Sequence, residues 1–137
     1  MSNTKAIGVA YTDQDIIGSQ YVLSGEYLGY TADAQGSVTQ ATSKSTAVTL
    51  NKSSGTITMN NAALGATTSV NFTLNNSYIS SNDTVILTLA NSGATPGSYT
   101  AIVSALANGS ATITVRNITA GSLSEAIVLN FALIHQM

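Results

Sequence analysis

The sequence predicts an all-β chain: an antiparallel, jelly-roll-like β-sandwich of about eight strands, preceded by an N-terminal arm or accessory strands. Three observations carry this expectation. From about Ser37 onward, apolar residues alternate with period two in short runs. Clusters of Ser, Asn, Asp and Gly separate those runs. No stretch has the spacing of a convincing helix, and "NNAALGA" has room for one helical turn at most. At 137 residues the chain is long enough for one domain with a real core, burying roughly two-thirds of the surface that the unfolded chain exposes.

The elements follow in order. Residues 1–36 form the arm. They hold Tyr11, Tyr21, Tyr27 and Tyr30, and the carboxylates Asp13, Asp15, Glu26 and Asp33, against the single Lys5. Such a shift in composition marks an arm more often than a second domain in a chain of this size, so the sandwich is assigned to residues 37–137. Strands are expected at "AVTLN" around Val48 and "GTITMN" around Ile57. They continue with "SVNFTLN", with Val70, Phe72 and Leu74 inward, and "TVILTLA", with Val85, Leu87 and Leu89 inward.

A hairpin follows, because Asn108-Gly109 is the residue pair that favours positive φ at both positions of a two-residue turn. An uninterrupted register then opposes Ala107 to Ser110, Leu106 to Ala111 and Ile102 to Val115. One face collects Ile102, Leu106, Ala111, Ile113 and Val115 as core. The other collects Tyr99, Ala101, Val103, Ala105, Thr112, Thr114 and Arg116. The last strand, "AIVLNFALI", turns Ile127, Leu129, Phe131 and Leu133 to one side and Ala126, Val128, Ala132 and Ile134 to the other, with Asn130 the polar exception. A strand apolar on both sides is expected to be covered on both sides, by the arm or by a neighbouring subunit.

Composition narrows the function. Only 7% of residues are charged, against about 25% in an average globular chain, while Ser, Thr and Asn make up roughly a third. Net charge is −2, and four basic residues give no footprint for nucleic acid. No cysteine is present. The opening "MSNTKAIGVAYTDQD" lacks the pattern of a secretion signal, and no apolar run approaches a membrane span, so the expectation is a protein made in a cytoplasm that inserts in no membrane. Depletion of Lys and Glu together with small side chains is the mark of an interface core. A subunit interface is therefore expected at Ala101, Val103, Ala105, Thr112, Thr114, Val128, Ala132 and Ile134.

Chemical constellations are sparse, and neither enzyme activity nor any cofactor or metal is expected. A Ser-His-Asp triad needs a rigid histidine, and His135 reads as a solvated tail residue. Asp13-x-Asp15 lacks the further ligands and glycine of a calcium loop. Asp83 reads as a turn former, and Glu125 as exposed or paired with Lys44, Lys52 or Arg116. "SGATPGSY" lacks the lysine of a phosphate loop.

Two segments carry a family resemblance. "TQATSKSTAVTLNK", Thr39 to Lys52, and "GSLSEA", Gly121 to Ala126, resemble a paired start and end found in virion structural modules of tailed bacteriophages, cyanophages and marine phages prominently. The likeness spans about residues 36–134. It implies a capsid decoration (cement) protein: a homotrimer on the outer head surface that clamps capsomers, with the major capsid protein as its partner and the virion as its location. Tyr11, Asp13, Asp15 and Tyr21 in the arm are the candidate capsid contacts. The alternative is a head-fibre or tail-fibre module that binds a host glycan or surface protein, with Tyr78 and Tyr99 as stacking platforms.

Overall fold

The computed structural model describes residues 28–93 and 95–136. After a single 3₁₀ turn, Ala32–Ala34, eight strands follow: β1 (Gln35–Thr39), β2 (Val48–Thr49), β3 (Ser54–Thr58), β4 (Ser69–Asn75), β5 (Thr84–Asn91), β6 (Tyr99–Ala107), β7 (Ser110–Asn117) and β8 (Val128–Ile134). They form two four-stranded sheets, ordered β1-β3-β8-β5 and β2-β4-β7-β6. The expected sandwich is present. The "NNAALGA" stretch forms no helical turn; its Leu64 bridges to Leu123 instead. Among the described residues no helix is long and apolar enough to cross a membrane.

Pairing is mixed rather than wholly antiparallel. β1 runs parallel to β3, and β2 parallel to β4, while the remaining pairs are antiparallel. Connectivity supplies the reason. The chain changes sheet at every step from β1 to β6, so β2 is the crossover that returns β3 beside β1, and β3 is the crossover that returns β4 beside β2. Parallel neighbours require such a crossover. Alternation along a strand reports which side is buried and carries no information on the direction of the neighbour.

Between the sheets lie Ile57, Met59, Phe72, Leu74, Ile113, Val115, Ile127, Leu129, Phe131 and Leu133, all buried. The inward rows Val70-Phe72-Leu74, Val85-Leu87-Leu89 and Ile127-Leu129-Phe131-Leu133 fall where the alternation places them. Gly36 and Gly55 face each other across the β1–β3 pair. A Cβ on Gly55 would come within 2.7 Å of the Gly36 carbonyl oxygen and of Leu50 Cδ2, so both positions are kept bare to admit Leu50.

The hairpin departs from expectation at two points. Gly109 has φ +83, while Asn108 is not in the positive-φ region, so the turn has the type II pattern. The preceding loop holds Asn108 in place: its Oδ1 accepts the Ser81 N–H, and Gly109 donates to the Ile79 carbonyl. The second point is a β-bulge. Ala107↔Ser110 and Leu106↔Ala111 pair as expected, but the register slips between Val103 and Ala105, and Ile102 pairs with Thr114 instead of Val115. One extra residue inverts every side chain beyond it. Tyr99 is consequently 4% exposed and Ala101 and Val103 pack on the core, while Ile102 is 58% exposed.

Candidate functional site

Few charged side chains remain among the described residues, and several serve as internal fastenings. The Gln40 amide Nε2 donates to the carbonyls of Lys44 and Thr46, and its Oε1 accepts the Asn60 N–H. That frame delivers the Lys44 side chain inward. Its Nζ donates to the carbonyls of Asn60 at 2.5 Å and Glu125 at 2.6 Å. Burial pulls the Lys44 amine below the ordinary lysine range, and the Glu125 carboxylate partly opposes that. The Glu125 carboxylate in turn accepts the Tyr99 hydroxyl at 2.5 Å. Burial, with the carboxylate beside it, pushes the Tyr99 phenol well above the usual tyrosine value. Of the three cations weighed for Glu125, Lys44 is the neighbour, and it is the Glu125 main chain that it grips.

A second fastening joins a turn to the C-terminal segment. Asp83 Oδ2 accepts the Ser80 N–H at 2.8 Å, the turn-forming role read from the sequence. The same oxygen lies 2.9 Å from His135 Nδ1. His135 is 48% exposed, solvated as the sequence suggests, yet it is docked at an otherwise buried carboxylate. The Ser80 amide is the main influence holding the Asp83 carboxyl below its ordinary value, with the His135 contact adding to it against the cost of burial. Among the described residues no hydroxyl hydrogen-bonds the other nitrogen of His135, so this pair holds chain segments together without the third member of a triad.

With those charges turned inward, the outer faces can be compared. The outward row of the first sheet comprises Gln35, Ser37 and Thr39 on β1; Ser54, Thr56 and Thr58 on β3; Val128, Asn130, Ala132 and Ile134 on β8; and Thr84, Ile86 and Thr88 on β5. None of these carries a charge. Its centre is polar, where the Thr56 hydroxyl donates to Asn130 Oδ1 at 2.9 Å. One end is apolar: Ile86 is 47% and Ile134 53% exposed, with Ala132 between them. Leu28, Gly29 and Tyr30 run against that end, and the Tyr30 hydroxyl donates to the Leu133 carbonyl.

The second sheet shows a different outer side. Asn71 and Thr73 on β4 and Thr112 and Thr114 on β7 are joined by Arg116, a permanent charge. At the bulge, Thr114 Oγ1 donates to Ser104 Oγ at 2.8 Å, and Ser104 Oγ to the Thr112 carbonyl at 3.2 Å. Hydroxyls here satisfy one another within the chain.

The eight residues expected at an interface do not form one patch. Val128, Ala132 and Ile134 lie on the outer face of the first sheet, while Ala105, Thr112 and Thr114 lie on that of the second. Ala101 and Val103 are corrected to inward positions, because the bulge reverses them. Tyr99, expected as an exposed stacking platform, is likewise buried, whereas Tyr78 is 52% exposed. Ile86 was missed in the sequence; its outward position on a strand pairing with the doubly apolar β8 is the signal that would have found it. The arm residues Tyr11, Asp13, Asp15 and Tyr21 lie outside the described residues. The chain was compared with protein-family models, curated proteins and solved structures, and nothing matches it.

Proposed function

We propose that this chain is a non-enzymatic structural protein whose first sheet packs, outer face first, against copies of itself in a homotrimer. The observation that carries the reading is the uncharged outer row ending in Ile86, Ala132 and Ile134. An interface core tolerates Thr, Asn and small apolar groups, whereas an unpaired buried charge destabilises it strongly. In this chain the Lys44, Asp83 and Glu125 side chains are engaged in internal bonds, which leaves that row free of them.

The biological role we assign is decoration of the outside of a tailed-phage head, with the major capsid protein as partner. It rests on the resemblance of Thr39–Lys52 and Gly121–Ala126 to virion modules. The contact of Lys44 with Glu125 gives a physical reason for those two segments to occur as a pair. A closed threefold assembly fits a threefold site on a shell with three identical contacts. Because it binds only the assembled shell, it stabilises that shell by mass action. The test is to locate and count the chain on purified particles. Copies spread over the head at threefold positions support decoration; a few copies confined to a fibre, or none on particles, refute it.

A further inference from the structure

Asn108-Gly109 is the one Asn-Gly step in the sequence, and it forms the turn between β6 and β7. Such a step carries its own chemistry. The main-chain nitrogen after an asparagine can attack the side-chain amide carbon, and glycine, lacking a Cβ, gives that nitrogen the freest approach. The Gly109 N–H gives up its proton, a bond forms between Gly109 N and Asn108 Cγ, the Cγ–Nδ2 bond breaks, and ammonia leaves with the proton. Water then opens the five-membered imide at either carbonyl, leaving aspartate or isoaspartate at position 108. Water is the only other reactant.

Burial does not protect this site, because Asn108 is exposed. Hydrogen bonds do, and all of them come from residues 76–81, on the way from β4 to β5. The attacking atom is engaged: the Gly109 N–H donates to the Ile79 carbonyl at 2.8 Å. The Gly109 carbonyl accepts the Asn76 N–H at 2.9 Å. Asn108 Oδ1 accepts the Ser81 N–H at 3.0 Å, which fixes the rotation of the amide that would be attacked. Ring closure must free the nitrogen of its proton and turn that amide, so it forfeits the bonds to Ile79 and Ser81. The segment is itself anchored. Ile79 is buried, and so is Asn76, whose Nδ2 donates to the Lys52 carbonyl at 2.7 Å. At the other end the Asp83 carboxylate accepts the Ser80 N–H.

We propose that Asn108 is a spontaneous modification site, an asparagine that deamidates through a cyclic imide, and that residues 76–81 are the gate that holds it shut in the folded chain. This inference is independent of the self-association reading. Isoaspartate adds one main-chain carbon to a two-residue loop that sets β6 against β7, so the gate preserves the register of the hairpin.

Ser81 is the second residue of the turn closed by the Asp83 N–H on the Ser80 carbonyl, a position that favours proline. Ser81→Pro therefore deletes the donor to Asn108 Oδ1 while suiting the turn, and Ser81→Ala keeps the donor. The full-length parent and both variants are held in mildly alkaline buffer and digested at intervals. Mass spectrometry, with a separation that resolves isoaspartate, follows the peptide containing Asn108. The parent is expected to convert at least about tenfold more slowly when folded than in urea, since conversion awaits local opening of the segment. Ser81→Pro is expected to convert roughly fivefold faster than the folded parent, the equivalent of one hydrogen bond, and Ser81→Ala at the parent's rate. A smaller difference between folded and unfolded parent overturns the gate, and no conversion at Asn108 in urea overturns the site. A folded Ser81→Pro chain that converts no faster than the parent also overturns the gate. The parent alone supplies a check that needs no variant to fold: folding should slow Gly109 amide hydrogen exchange and Asn108 conversion by factors that agree within about tenfold, and a wider disagreement overturns the assignment.

Discussion

The two sheets share one polar vocabulary and differ in what it leaves unsatisfied. Both outer faces are rows of Thr, Ser and Asn, so hydroxyl cladding reflects first the preference of β-branched residues for strands. The second sheet bonds within itself: Ser104, Thr112 and Thr114 are joined at the bulge, Arg116 faces water, and Ile102 on β6 and Ile118 just past β7 are exposed. The first sheet keeps Ile86 and Ile134 half-exposed beside Ala132, at the open edge of β5. The hydroxyls are therefore not the signal of association. The proposed association rests on the apolar end formed by Ile86, Ala132 and Ile134.

Charge placed on each face in turn is the strongest way to break this comparison. Ala132→Glu is expected to weaken self-association by about a hundredfold or more, since a carboxylate would be buried unpaired. Asn71→Glu, outward on the second sheet, is expected to leave the sedimenting mass unchanged. Equal effects from the two substitutions would erase the distinction between the faces.

Folding can be separated from association through the internal fastening. Lys44→Met removes a buried donor and leaves the Asn60 and Glu125 carbonyls unpartnered, so the unfolding free energy should fall by about 2–4 kcal/mol. Denaturant titration measures this. Below the transition the variant should retain the oligomeric mass of the parent.

Acid sharpens the same separation with a smaller effect. The folded Asp83 carboxyl titrates below its unfolded value of 3.8, so its stabilisation is fully present above that pH and is lost as pH falls through the lower folded value. Thermal melts should therefore decline below about pH 4, and Asp83→Asn should flatten that part of the profile. The smallest effect is expected at Ile102→Thr, an exposed apolar residue of the second sheet, with stability within about 0.5 kcal/mol of the parent and no change in mass.

Much of this architecture was legible in the sequence, and the exceptions have identifiable causes. Alternation located β2 to β8 and the inward rows of β4, β5 and β8, because burial on one side of a pleated strand leaves a period-two trace; β1 was not singled out, and the expected boundary at residue 36 runs through it. The Ser104 bulge left no comparable trace: "YTAIVSALA" alternates acceptably in either phase, and the misassignment of Ile102, Tyr99, Ala101 and Val103 follows from that single residue. Parallel pairing was invisible because strand direction is set by crossovers far apart in the chain. The doubly apolar final strand did locate the candidate face. The docking of His135 on Asp83 was not readable, since residues so distant in sequence meet only through the β5–β8 pairing of Thr84 with Ile134.

Sedimentation equilibrium of the full-length chain over a micromolar dilution series tests most directly whether sister subunits conceal the outer side of β8. The mass of three chains, reduced to one by Ala132→Glu, is the predicted result. A single-chain mass for the unaltered protein throughout the series would contradict it.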